Sequence, residues 1–181
     1  MKGFYYRIFL SLLTLTVLSR CSTNQVETEN SVAAVPTDSL QQAISALNAE
    51  IFANPDKDRL YRQRSELYTQ FGSNDAAYKD ALSAVGLDSS NAENWLTMGK
   101  AAFGVENYYR VEDAYLKCIE FAPKNSECHT KLAEFYLLRK KYTEALKYAN
   151  DALRIDQNQA RPYFIKGWVF MEKGDTIKAV S

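Results

Sequence analysis

Histidine, cysteine and glycine are scarce in this chain of 181 residues, occurring once, three times and seven times. A zinc site needs four ligands at regular spacing, and Cys118, Cys128 and His129 fall short of that set. The glycines are scattered singly, which excludes a glycine-rich phosphate loop. An odd, sparse cysteine count argues against a disulfide scaffold. Charge of one sign is also missing, with 22 basic and 22 acidic residues. From Cys21 onward the balance is 19 basic against 22 acidic, which is no footprint for nucleic acid. The apolar segment from Ile8 to Leu18, interrupted by Ser11, Thr14 and Thr16, reaches only about half way across a hydrocarbon core of roughly 30 Å. What remains is 46% hydrophobic and 24% charged, enough apolar material for the core of one moderate unit.

Lys2 and Arg7 ahead of that segment make residues 1–20 a secretory signal rather than a span. Leu18-Ser19-Arg20-Cys21 resembles a bacterial lipobox, which implies a diacylated Cys21 as the mature N-terminus. Arg20 departs from the pattern, which usually has Gly, Ala or Ser there. The alternative is cleavage nearby and release of a soluble periplasmic or secreted protein. Residues 21–36 read as a flexible tether, since Ser22 to Pro36 lacks hydrophobic periodicity, Lys and Arg. Acyl chains anchor at about 0.8 kcal/mol per buried methylene. Ser22 in place of Asp resembles the signal for outer-membrane delivery. The first acids are Glu27 and Glu29, so the periplasmic face is expected.

Beyond the tether the chain repeats itself every 34 residues, in windows starting at Asp58, Ala92, Ser126 and Ala160. The fourth residues are rings (Tyr61, Trp95, His129, Tyr163) and the eighth are small (Ser65, Gly99, Ala133, Gly167). Where the eleventh is large (Tyr68, Tyr136) the twenty-fourth is small (Ala81, Ala149), and Ala102 faces Tyr115 in the reverse arrangement. That exchange conserves volume between two helices, as a close-packed interior requires. Breaks occur at Phe71–Asn74, Val105–Asn107, Arg139–Lys141 and Lys173–Asp175, and Pro123 falls where a helix must stop.

This pattern resembles the tetratricopeptide repeat family. The resemblance implies an all-α, right-handed superhelical solenoid of helix-turn-helix repeats at residues 58–91, 92–125, 126–159 and 160–181, the last incomplete. Residues 37–57, with Leu40, Ala43, Ile44, Leu47 and Ile51 at helical spacing, form an N-terminal capping helix. Because the fourth window breaks off at Ser181, a longer parent protein is expected.

Catalytic machinery is not visible, so no enzyme and no cofactor are expected. His129 occupies the ring column and reads as a packing residue. Cys118 takes a place that is Ala84 and Ala152 in its neighbours. A bridge to Cys128 would close a loop of about ten residues and contribute about 2–3 kcal/mol; bridged and free forms both remain open at this point.

The family resemblance implies peptide binding in a concave groove lined by the first helix of each repeat. The matching places hold Arg59, Arg62 and Glu66, then Leu96, Lys100 and Phe103, then Thr130, Glu134 and Leu137, and last Phe164, Trp168 and Met171. The lining therefore passes from charged to aromatic, and buried aromatics are typical anchors of peptide recognition. The family's carboxylate clamp is excluded, because its places hold Arg62, Glu66, Thr97, Glu127 and Lys131, and the two acids repel a carboxylate. The expected role is a non-catalytic adaptor that gathers other envelope proteins, membrane-bound through Cys21. The competing expectation is an accessory module of a longer envelope protein with a catalytic domain beyond residue 181.

Overall fold

One backbone requirement recurs along the chain at a fixed register. Gly72, Glu106, Lys140 and Gly174 lie 34 residues apart and all have positive φ, of 82°, 58°, 57° and 75°. After each of the first three, the next amide donates to a carbonyl five residues back: Ser73 to Tyr68 (2.8 Å), Asn107 to Ala102 (2.9 Å) and Lys141 to Tyr136 (2.9 Å). These bonds close a helix through a left-handed residue and turn the chain sharply. Glycine takes that conformation freely, whereas Glu106 and Lys140 accept it at a cost of about 1 kcal/mol.

The computed structural model describes residues 37–174. Among them are eight helices: α1 (Thr37–Ala53), α2 (Asp58–Phe71), α3 (Asn74–Leu87), α4 (Ala92–Gly104), α5 (Tyr108–Phe121), α6 (Ser126–Leu138), α7 (Tyr142–Ile155) and α8 (Ala160–Glu172). They pair as the hairpins α2–α3, α4–α5 and α6–α7, with α1 laid on α2 and α8 on α7. The expected signal, Cys21, the tether and the stretch containing Ala179 lie outside the described residues. Side-chain caps start several helices: Asn91 accepts from the Glu93 amide, Asn107 from Arg110, and Asn125 from Glu127 and Cys128.

Packing inside each hairpin follows the small and large columns. Ser65 is buried and its hydroxyl donates to Ala77 O at 2.7 Å. At Gly99 a Cβ would stand 2.3 Å from Cε1 of Tyr115, so only glycine leaves room for that ring. The Tyr115 ring enters from the second helix of its hairpin, and Ala102 lies beside it in the same core cluster. The ring column has a second task, tying the inter-repeat loop. Trp95 Nε1 donates to Ser89 O (2.8 Å), and His129 Nε2 lies 3.0 Å from Pro123 O, six residues back in both cases.

Successive repeats are held in register by side-chain amides. Asn91 donates to Asp58 Oδ2 (3.1 Å), Asn125 to Glu93 Oε1 (3.1 Å) and Gln159 to Ser126 Oγ. Burial pushes the Asp58 carboxyl up, but donation from the Asn94 side chain, the Arg59 amide and Asn91 outweighs it and holds the group below its ordinary value. Helix α1 is tied down by Arg64, which forks onto Asp80 at 2.6 and 2.8 Å and reaches Asn48 Oδ1 at 2.7 Å. Its guanidinium lies 5.7 and 5.8 Å from the Tyr61 and Tyr68 ring centres.

Candidate functional site

Neighbouring first helices pack unevenly. Helix α2 rests against α4 and α6 against α8, while α4 and α6 meet at most weakly. A cavity of about 700 Å³ opens there, within the size range of ligand pockets. From α4 come Lys100 and Phe103, and from α6 Lys131, Glu134 and Leu137. Helix α8 contributes Arg161, Phe164 and Trp168, with Tyr115 of α5 and Tyr142 of α7 reaching in from the second helices.

The aromatic wall is half exposed: Phe164 and Trp168 keep 49% and 44% of their surface, with ring centres 5.7 Å apart at 46°. Arg161 lies over the Phe164 ring at 5.0 Å. Charges in the cavity are mostly paired. Glu134 faces both Lys131 Nζ (3.0 Å) and Arg161 Nε, and Lys100 Nζ sits 2.7 Å from Glu127. Burial first, then Glu134 and Glu127, push the Tyr115 phenol well above its ordinary range, so it stays a neutral hydrogen-bonding group.

Six of the groove residues read from the sequence line this cavity: Lys100, Phe103, Glu134, Leu137, Phe164 and Trp168. Arg59, Arg62 and Met171 do not, and Arg62 Nε is buried without a hydrogen-bond partner among the described residues. Leu96 is a correction. It is 2% exposed and belongs to the core with Val111 and Leu132. Its place in the repeat faces the following repeat, as the equivalent Thr130 shows by donating to Gln159 Oε1 at 3.1 Å. Tyr115, Lys140 and Tyr142 were missed because they come from second helices and a turn. The signal for Tyr115 was present in its exchange of volume with Ala102.

His129 is 7% exposed and held by its loop bond, so it presents no reactive ring. Among the described residues no cluster of three or more His, Cys, Asp or Glu is placed to hold a metal, and no helix is long and apolar enough to cross a membrane. Cys118 and Cys128, both fully buried, are joined as a disulfide between α5 and α6, with Cα atoms 5.9 Å apart.

A family pattern for the tetratricopeptide repeat matches residues 114–147, from α5 through α6 into α7. This stretch is similar to a tetratricopeptide repeat. Over 91 residues, half of its length, the chain is 30% identical to small glutamine-rich tetratricopeptide repeat-containing protein 2 of Mycosarcoma maydis, covering 26% of that protein. Over 86 residues, 48% of the chain, it is 28% identical to the Hsp70-Hsp90 organizing protein of Triticum aestivum, covering 15% of it. The matched stretch thus spans about a quarter or less of these relatives. A crystal structure of MamA superposes with a TM-score of 0.71 at 22% identity, over 79% of this chain and 84% of that one. For PilF of Pseudomonas aeruginosa the values are 0.72 and 18%, over 79% and 65%. These likenesses give the fold, an all-α solenoid of tetratricopeptide repeats.

Proposed function

We propose that this repeat protein is a non-catalytic adaptor of the bacterial cell envelope, binding peptide segments of other proteins in the cavity between α4, α6 and α8. The observation that carries this reading is the half-exposed Phe164–Trp168 pair set in a cavity of about 700 Å³. A buried aromatic surrounded by apolar and polar rim residues is the usual anchor of a peptide interface. The basic and apolar leader, the lipobox-like Leu18–Cys21 and a tether without Lys or Arg support lipid anchoring at Cys21 on the periplasmic side of the outer membrane. The Cys118–Cys128 bridge supports an oxidising compartment such as the periplasm.

One preparation tests both parts. Native protein extracted from envelopes with detergent should retain a stoichiometric partner, and Phe164→Ala with Trp168→Ala should reduce its recovery at least tenfold at unchanged helicity. Undiminished recovery removes the cavity from the mechanism. Labelled fatty acid should be incorporated by the wild type and not by Cys21→Ser; labelling that persists in the variant removes the anchor.

A further inference from the structure

We propose that the cavity selects segments combining large apolar or aromatic side chains with an internal Asp or Glu. This rests on the groove-binding role proposed above. Four cations line the cavity, Lys100, Lys131, Lys140 and Arg161, against two carboxylates, Glu134 and Glu172. Both carboxylates are engaged, Glu134 by Lys131 and Arg161, and Glu172 by the Tyr142 hydroxyl at 3.2 Å. Lys100 is neutralised by Glu127. Lys140 has no carboxylate partner among the described residues, and Arg161, 57% exposed, shares its one acid with Lys131.

An incoming carboxylate therefore meets an unpaired ammonium and a half-compensated guanidinium. An incoming lysine meets only acids that already have cations or a donor. Exclusion of water by the bound segment strengthens that difference. The apolar part of the preference comes from the Phe164 and Trp168 faces, with Phe103 and Leu137 also in the lining.

The test uses the full chain in detergent and three pools of fluorescein-labelled, C-terminally amidated peptides of about twelve residues, read by fluorescence anisotropy. The first pool mixes Trp, Phe and Leu with Asp and Glu, the second replaces the acids by Lys, and the third replaces the apolar anchors by Ala. The acidic apolar pool should bind at least tenfold tighter than either of the others. Trp168→Ala should weaken it about 30-fold, the size of an interface hot spot. Lys140→Gly should weaken it about two- to fivefold, as for an exposed ion pair. That variant keeps the fold, because glycine occupies the same left-handed register at Gly72 and Gly174. Equal or tighter binding of the basic pool, still sensitive to Trp168→Ala, overturns the charge preference and leaves the groove role standing. Binding indifferent to Trp168→Ala, or no binding from any pool, overturns both.

Discussion

Where α3 meets α4, the buried contact is made by Ala84 and Asn94; where α5 meets α6, one period later, the same two places hold Cys118 and Cys128. Asn94 is fully buried, and the two hydrogens of its amide are shared among Asp58 Oδ2 (2.8 Å), Asp88 O (3.0 Å) and Ala84 O (3.1 Å). The second seam replaces that polar network by one covalent bond. At the next seam the places are Ala152 and Pro162, both buried and neither polar nor reactive in its side chain. The repeat thus dictates the approach of two helices and leaves the chemistry of the contact free. The first seam depends on hydrogen bonding and protonation, the second on redox state. Their outer sides differ as well, since α2 and α4 pack together while α4 and α6 part around the cavity.

The largest effect is expected at the first seam. Asn94→Ala removes the donor shared by Asp88 O and Ala84 O, leaves Asp58 Oδ2 with Asn91 as its side-chain donor and opens a small void, costing about 3–4 kcal/mol. Urea denaturation gives the size, and hydrogen exchange by mass spectrometry should place the loss in α2–α4. A uniform loss across all helices would mean that the seams do not open separately.

The second seam should yield somewhat less. Cys118→Ala with Cys128→Ala should cost about 2–3 kcal/mol in oxidising buffer, as expected for a short closed loop. Dithiothreitol should lower the wild type to a similar level and leave the double variant unmoved. An identical denaturation curve for wild type and variant under oxidising conditions contradicts the bridge.

The smallest difference is in acid. Asp58 titrates below its unfolded-state value of 3.8 because the amide donors outweigh its burial. Its stabilisation is therefore complete above that value and is lost as pH falls through the lower folded-state one. Amide protection should fall further in α2–α4 than at the α5–α6 seam on going from pH 6 to pH 3, and Asp58→Asn should narrow that gap. Equal losses in both regions remove the carboxylate from the account.

Much of the fold was legible because a repeat states each packing rule several times. The small Ala102 announced the large ring at Tyr115, and the breaks between helices coincided with polar or glycine-containing turns. The candidate site was less legible. Leu96 sits one residue from the buried Thr97 and turns into the core with it, which depends on how the next repeat is placed. Lys140 carried no signal as a basic turn residue; its proposed role follows from having no carboxylate partner among the described residues, a property of neighbours distant in sequence.

By itself the sequence determined the period, the hairpin unit and the columns of ring and small residues, because these are local: helix spacing, turn chemistry and conserved volume operate within about 34 residues. Only the tertiary structure decided that Cys118 and Cys128 are joined, that Leu96 is inside, and that α4 and α6 part where other first helices meet. Those outcomes depend on how one hairpin leans on the next, and that angle is set by many small contacts across the seam that no single window of the chain contains.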